Sequence, residues 1–191
     1  LDPASGRIVN KPRKLTFEKY LVYPSGVPKA AGKDQQAVFS LYQYDKTKGT
    51  VDNPFSKQGT AFKKEFYNRV PNPDTENETG IKKGAYLTDQ EGKFTLTGLN
   101  NAAYYGHVED QAPPGFSLLD TGIIRIFHVT EDGRIEIYRK LTLAEVPAGK
   151  KWEDLAPKLL DSTVSEGYIH DYRRIMNRHP GFPQTGGLGP A

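Results

Sequence analysis

KLTFEKYLVY, residues 14–23, alternates apolar and polar side chains along most of its length. Alternation of this kind predicts a half-buried β-strand, because successive side chains of a strand point to opposite faces of the sheet. The apolar face contains one charged residue, Lys19, whose ammonium group is costly to transfer from water into a core. We therefore expect this strand to bring a lysine into the interior. The side chains on this face are Leu15, Phe17, Lys19, Leu21 and Tyr23.

The opposite register of the same strand is the alternative interpretation. Lys19 would then lay its aliphatic stem along the surface and keep its charge in water. The inward face would consist of Thr16, Glu18 and Tyr20, so the carboxylate of Glu18 would be buried instead. Either register therefore brings a charged group inside.

Several other stretches are strand-like runs separated by turn signals. A strong turn signal is TEDGR, residues 130–134, which predicts a hairpin with Asp132 and Gly133 at its tip. Short strands at this spacing are typical of an all-β, immunoglobulin-like sandwich. The predicted strands after the first are residues 37–44, 93–99, 102–109, 123–129, 134–143 and 168–176.

Two segments interrupt the strand pattern. Residues 46–83 follow the second predicted strand, are rich in Asn, Pro, Lys and Glu, and are too long for an ordinary hairpin loop. We interpret them as an insertion, with a short helix predicted at AFKKEFYNRV, residues 61–70. The second segment, residues 147–167, contains a helix-compatible stretch, WEDLAPKLL, that Pro157 breaks.

The composition excludes several classes of function. The 191 residues include 26 basic and 23 acidic ones, for a net charge of +3 without a long basic run, so a nucleic acid partner is not indicated. Cysteine is absent, which excludes disulfides and thiolate chemistry. The four His residues form no metal-binding motif, and neither a metal nor a cofactor is predicted. No apolar run reaches the roughly 18 residues that cross a bilayer, so we expect a soluble chain.

Residues 92–120, GKFTLTGLNNAAYYGHVEDQAPPGFSLLD, continue a multi-part motif that begins at Asp89. The motif resembles that of the Cna B-type (prealbumin-like) domains of Gram-positive surface proteins and pilins: D-x-x-G-x-F-x-x-x-G-L, then Tyr, then Glu, then A-P-x-G-Tyr. Phe116 replaces the last Tyr. AVFSLYQYD, residues 37–45, is similar to the family's G-A-x-F-x-L-Y strand, with Gln36 in place of Gly. The matching positions are Asp89, Gly92, Phe94, Gly98, Leu99, Tyr105, Glu109, Ala112, Pro113, Gly115 and Phe116.

The resemblance covers roughly residues 15–45 and 84–189, leaves the insertion and KKWEDL (residues 150–155) unmatched, and implies a Cna B-type sandwich with a long insertion after the second strand. It also implies an intramolecular isopeptide bond between a first-strand lysine, here Lys19, and an Asn or Asp of the last strand. Asn177 is the preferred partner because it lies five residues before the motif FPQTGG, residues 182–187. Its condensation with Lys19 would release ammonia. Asp171, on the same strand face, is the alternative and would release water. A residue such as Asn177 is otherwise typical of a cap or a turn.

Glu109 stands where the family has its catalytic acid, and it shares strand parity with Tyr105 and His107. Burial lowers the pKa of a lysine and raises that of a carboxyl group, so we expect a neutral Lys19 beside a protonated Glu109. The resemblance then implies that Glu109 donates a hydrogen bond to the amide carbonyl of the partner and relays protons to the leaving group. The alternative is an ordinary surface glutamate.

FPQTGG, residues 182–187, resembles the F-P-x-T-G sorting signal of the same proteins; the alternative is ordinary loop punctuation. It implies that a sortase cuts after Thr185 and joins its carbonyl to an amine of another pilin subunit or of peptidoglycan, on a secreted, wall-anchored protein. The family's shaft signature, Tyr-Pro-Lys, fails at Ser25, which favours a basal or minor pilin or a wall-proximal domain. The motif positions are Phe182, Pro183, Gln184, Thr185 and Gly186.

We expect three parts: an N-terminal segment (1–13), the sandwich (14–178) and a sorting-signal tail (179–191). The first function hypothesis is a structural subunit of a sortase-assembled pilus or of a wall surface protein. The alternative is an adhesin that uses the same sandwich to display loops to a host surface ligand. An enzyme with turnover is not expected, because an isopeptide reaction within one chain happens once.

Overall fold

A computed structural model describes residues 13–48, 53–118, 122–123, 125–161 and 174–179. Within these ranges the chain is mostly β-strand, with one short helix, α1 (Gln58–Ala61). Single 3₁₀ turns lie at Pro54–Ser56, Lys64–Phe66, Pro73–Thr75, Gly80–Lys82, Leu143–Glu145 and Trp152–Asp154. The strands are β1 (Arg13–Val22), β2 (Pro28–Ala30), β3 (Val38–Tyr44), β4 (Tyr67–Val70), β5 (Tyr86–Leu87), β6 (Lys93–Leu99), β7 (Ala103–Gln111), β8 (Arg125–Val129), β9 (Ile135–Arg139), β10 (Lys158–Asp161) and β11 (Arg174–Arg178).

The smaller sheet is built around β1. Strand β11 runs parallel to β1 along one edge, and β6 and β2 pair with it in antiparallel fashion along the other. Glu18 is thus opposite Arg174 on one side and Lys93 on the other. The first and last described strands are therefore direct neighbours.

The larger sheet has the strand order β10-β9-β8-β7-β3-β4, with β5 also paired to β3. All of its pairings are antiparallel. The β8–β9 hairpin turns at Asp132 and Gly133, as the sequence predicts, and Gly133 has a φ of +83° that favours glycine.

Apolar side chains of both sheets form one core, which confirms the predicted all-β sandwich. The inward alternation predicted for β1 is confirmed as far as Leu21, since Leu15, Phe17 and Leu21 are buried. Tyr23, which was predicted on the same face, follows the end of β1 and is only half-buried. The core residues are Leu15, Phe17, Ala37, Phe39, Leu41, Tyr86, Phe94, Leu96, Leu99, Ala103, Tyr105, Phe127, Val129, Ile135, Ile137 and Ile175.

The two predicted helical stretches are largely wrong. In the insertion, α1 ends at Ala61, and residues 67–70 form β4, which pairs with β3. In the second segment, a 3₁₀ turn at 152–154 is followed by β10, which pairs with β9. Both errors have one cause: the edges of the larger sheet offer unpaired backbone groups, and pairing with them outweighs a weak local helix preference.

The insertion packs on the outer face of the larger sheet, where it forms a second apolar cluster. Gln58 connects it to the second interrupting segment, because its side chain donates to Trp152 O (3.1 Å) and accepts from Leu141 N (2.6 Å). The two segments that the resemblance does not cover thus contact each other. The cluster consists of Tyr44, Ala61, Phe62, Tyr67, Val108, Ile123 and Ile126.

Candidate functional site

Three polar residues from three strands are buried together between the sheets. Lys19 lies on β1 and Asn177 on β11 of the smaller sheet, and Glu109 lies on β7 of the larger one. Their exposed fractions are 0%, 0% and 1%, respectively. Charged side chains are rarely buried to this degree unless they are paired, so the cluster needs a physical explanation.

The backbone pairing of β1 brings Lys19 and Asn177 to the same face. In the parallel register, Lys19 is opposite Ile175 and Leu21 is opposite Asn177, so the two polar side chains are offset by one inward position. The backbone of Lys19 is held from the other side, since its N–H donates to Gly92 O at 2.7 Å. Gly92 has a φ of +78°, and a Cβ there would lie 2.7 Å from Ala31 O, which explains the glycine at this position.

The carboxylate of Glu109 contacts both partners, one with each oxygen. Lys19 Nζ lies 3.1 Å from Glu109 Oε1, in ion-pair contact but without the alignment of a good hydrogen bond. Asn177 Nδ2 donates to Glu109 Oε2 at 3.0 Å. One carboxylate therefore connects the amine to the amide.

Ser117, in the loop after β7, supplies a further contact. Asn177 Nδ2 donates to the backbone carbonyl of Ser117 at 2.7 Å. A carbonyl only accepts hydrogen bonds, so this contact identifies the nearby amide atom as the nitrogen. Asn177 Oδ1 has no hydrogen-bond partner within the described ranges. The arrangement differs from the sequence-based expectation, in which Glu109 donates to the amide oxygen; here Glu109 faces the amide nitrogen.

Apolar and aromatic surroundings control the charge of Lys19. Its Nζ lies 5.8 Å from the ring centroid of Phe39, which stacks on Phe94 at 4.2 Å. Burial lowers the pKa of Lys19 from 10.5 to about 8, although the nearby Glu109 partly offsets this effect. A neutral amine, which is the nucleophilic form of lysine, is thus far more accessible here than on the surface.

His107 is part of the same buried region and was not assigned a role from the sequence. It shares an inward face of β7 with Glu109, is fully buried, and packs on Phe17 with a centroid distance of 4.6 Å. Neither ring nitrogen has a hydrogen-bond partner among the residues described. Burial, followed by the positive charges of Arg125 and Lys19, holds the pKa of His107 well below its ordinary value. The sequence signal for His107 was its spacing of two residues from Glu109, which places both side chains on the same face of a strand.

A cluster of three aromatic side chains holds the loop that carries the Ser117 carbonyl. The ring of Phe116 meets Tyr23 edge-on at 5.3 Å and His179 at 5.7 Å. Tyr23 in turn accepts a hydrogen bond from Gln35 at 2.7 Å, and His179 N donates to Val22 O at 2.9 Å. Phe116 stands where the motif in the sequence analysis has Tyr, so the replacement keeps an aromatic ring at this position.

Several predicted site residues lie outside the described residues. These include the alternative partner Asp171 and the sorting motif Phe182–Gly186. Over the described part of the chain there is no group of three or more His, Cys, Asp or Glu side chains suited to a metal. In the same part, no helix is long and apolar enough to span a membrane.

Neither a protein-family model nor a curated protein sequence matches the chain. Among solved structures, the SpaE basal pilin from Lactobacillus rhamnosus GG (orthorhombic form) is similar over 93% of this chain and 53% of that one, at 16% identity and a TM-score of 0.41. Its selenium derivative gives 15% identity and a TM-score of 0.40, over 93% of this chain and 56% of that one.

A second pilin is similar at a lower level. It is the major pilin SpaA of Corynebacterium diphtheriae, whose structure points to a modular pilus assembly with stabilising isopeptide bonds. The similarity covers 87% of this chain and 31% of that one, at 12% identity and a TM-score of 0.35. This chain thus spans about half the length of SpaE and about a third of SpaA. These similarities do not assign the chain to a family.

Proposed function

We propose that this chain is a structural subunit, or the wall-proximal domain, of a sortase-assembled pilus or cell wall surface protein, and that Lys19 and Asn177 condense into an isopeptide bond. One observation carries the proposal: Glu109 contacts the amine of Lys19 and the amide nitrogen of Asn177 inside a core. The sorting-signal resemblance of residues 182–186 supports the anchoring part.

The contacts suggest how protons move in the reaction. One proton can be shared between Lys19 Nζ and Glu109 Oε1, and its transfer to the carboxylate leaves a neutral amine. Nζ then attacks Cγ of Asn177, the Cγ–Nδ2 bond breaks, and Nδ2 leaves as ammonia. Glu109 Oε2 already lies at hydrogen-bond distance from Nδ2, the atom that must gain a proton to leave. No net proton is consumed, because the amine loses one proton and the leaving nitrogen gains one.

The bond would also solve the energetic problem of the site. An ammonium group and a carboxylate buried between two sheets lose much of their hydration, and their attraction repays only part of that cost. Condensation replaces the ammonium with a neutral amide. A buried lysine that opposes folding in the uncondensed chain thus becomes a covalent staple in a protein without cysteine.

The positions of β1 and β11 fit a mechanical role. A sortase bond at Thr185 would load β11 at Asn177, eight residues upstream. Without a cross-link, β11 would be held to β1 only by the hydrogen bonds of one parallel ladder, each of which contributes only ~1 kcal/mol net. With Lys19 bonded to Asn177, tension would pass covalently from β11 into its neighbour β1 and bypass everything between them.

Intact-mass spectrometry of the folded protein tests the isopeptide bond. We expect a mass lower than the sequence mass by one ammonia. Glu109→Gln keeps the size of the side chain and removes its proton transfer, so that variant should retain the full sequence mass. Loss of water from the wild type would point to an Asp such as Asp171, and an unmodified wild-type mass would refute the bond.

Incubation with a pilus-type sortase and an amine nucleophile tests the anchoring part separately. We expect cleavage after Thr185 and transfer of its carbonyl to the amine, and no reaction of Thr185→Ala. Gln184→Ala is the matched control, because the third motif position is variable in F-P-x-T-G. Equal reaction of the Thr185 variant would exclude the sorting function even if the internal bond is present.

A further inference from the structure

The Asn177 amide is held by two hydrogen-bond acceptors and no donor within the described residues. Its nitrogen donates to Ser117 O at 2.7 Å and to Glu109 Oε2 at 3.0 Å, and its oxygen has no partner there. We infer that the Ser117 carbonyl, acting with Glu109, makes position 177 specific for asparagine over aspartate, so that the site releases ammonia and rejects the water-releasing reaction. This inference rests on the proposed isopeptide function.

Hydrogen-bond chemistry accounts for the discrimination. The amide NH₂ group has two N–H donors, and the two acceptors satisfy both of them. An aspartate at 177 would place a carboxylate oxygen against the Ser117 carbonyl and the Glu109 carboxylate. A peptide carbonyl has no proton to donate, so the Asp side chain must itself carry a proton to be accommodated. Specificity of this kind arises from buried polar groups left without a matching partner.

Local contacts of the loop hold the Ser117 carbonyl in position. Phe116 N donates to Pro113 O at 3.1 Å, which closes a turn directly before Ser117. The Phe116 ring then lies against Tyr23 and His179, at 5.3 and 5.7 Å. Residues directly after β1, in the loop and directly after β11 therefore position one backbone oxygen, and Phe116 is a positioning residue that acts through it.

The two reactions need different numbers of protons. With asparagine, Nζ–Cγ forms, Cγ–Nδ2 breaks, and the proton lost by the amine leaves with ammonia. With aspartate, Cγ–O breaks and water leaves, which requires one further proton on the 177 side chain. Among the described residues, Glu109 on β7 contacts this side chain and Lys19 on β1 contacts Glu109; His107 acts electrostatically on Lys19, and His179 contacts Phe116. The reaction rate of an aspartate variant should therefore rise as the pH is lowered.

The test follows the mass of wild type and Asn177→Asp over time, each refolded from denatured chains whose starting mass shows no condensation, with circular dichroism to establish that each is folded. At neutral pH we expect the Asp variant to condense about tenfold to a hundredfold more slowly than the wild type. Its rate should rise as the pH is lowered, unlike that of the wild type. Equal rates at neutral pH would overturn the specificity alone. A wild type that never loses ammonia would overturn the proposed function and the inference with it.

A second variant tests the carbonyl in the natural Asn177 background. Phe116→Ala removes the ring that holds the loop and leaves all three reacting side chains in place. We expect it to stay folded and to lose ammonia about tenfold more slowly, and Phe116→Tyr to restore the rate. An unchanged rate in a folded Phe116→Ala protein would overturn the positioning role of the loop.

Discussion

Two regions of this protein bury polar side chains, and they differ in whether the buried polar atoms have hydrogen-bond partners. On the outer face of the larger sheet, Gln58 is fully buried, yet its amide has a partner at each end, Leu141 N at 2.6 Å and Trp152 O at 3.1 Å. Between the sheets, Lys19 Nζ lacks an aligned hydrogen bond, and Asn177 Oδ1 has no partner in the described part of the chain. The first region is neutral and satisfied, and the second is charged and incomplete.

We interpret the difference as one between a structural role and the proposed chemical role. A buried amide whose hydrogen bonds are all made contributes to stability and to the unique docking of two segments. A buried amine beside a carboxylate and an amide gives up hydration without full compensation, which is a feature of sites that react. We expect mutations in the two regions to separate stability from covalent chemistry.

The largest effect is expected from Lys19→Met, which removes the amine and keeps the shape of the side chain. Without the proposed cross-link, the chain would not form a closed loop from 19 to 177, and the free energy of unfolding should fall by about 5 kcal/mol in the chain-entropy model. Denaturant unfolding with intact-mass analysis measures both consequences. Lys14→Met, at an exposed position of the same strand, is the control. Equal stability of the Lys19 variant and the wild type would contradict the staple.

The next effect concerns pH and requires an uncondensed chain, Asn177→Ala. Its Lys19 has a pKa lowered by burial to about 8, against 10.5 in the unfolded chain, so the unfolded state binds more protons between these values. The free energy of unfolding should therefore rise by about 3 kcal/mol as the pH is raised from 8 to 10.5. Adding Lys19→Met to this variant should abolish the rise. The same rise in both proteins would show that Lys19 is not its source.

A smaller effect is expected at the satisfied region. Gln58→Leu leaves Leu141 N and Trp152 O without their side-chain partner, which should lower the free energy of unfolding by about 2 kcal/mol. The loss of ammonia should be unchanged, because the proposed reaction takes place between the sheets and does not involve Gln58. Gln90→Leu, at an exposed turn, is the matched control. A Gln58 variant that fails to condense would show that the two regions are coupled.

The smallest effect is a loss of stability as the pH is lowered, and it depends on His107. Burial holds its pKa well below 6.5 in the folded state, so only the unfolded state takes up a proton just below that pH. The free energy of unfolding should fall as the pH is lowered, by about 1 kcal/mol over the first unit below 6.5. His107→Phe should flatten this part of the profile. Parallel profiles for the two proteins would assign the acid sensitivity to other groups.

Local patterns predicted a large part of the fold and two members of the site. The period-two alternation of residues 14–23 predicted both β1 and the inward direction of Lys19, because strand geometry alone decides which side chains share a face. The hairpin at Asp132 and Gly133 was equally local, since few dipeptides suit such a turn. The motif around Glu109 identified it as a candidate acid, and its burial is observed, while its role stays a prediction.

Other features depended on segments that are distant in the sequence. β4 and β10 became strands only because β3 and β9 presented free edges to them, against their local helical patterns. The contact between Asn177 and Ser117 was beyond sequence analysis, since a backbone carbonyl is present in every residue and leaves no signal in the side chains. The sequence by itself thus determined β1, the β8–β9 hairpin and the inward lysine, because those follow from steric rules between near neighbours. Only the tertiary structure decided which amide atom faces Glu109, because that depends on where a loop sixty residues away in the chain places its oxygen.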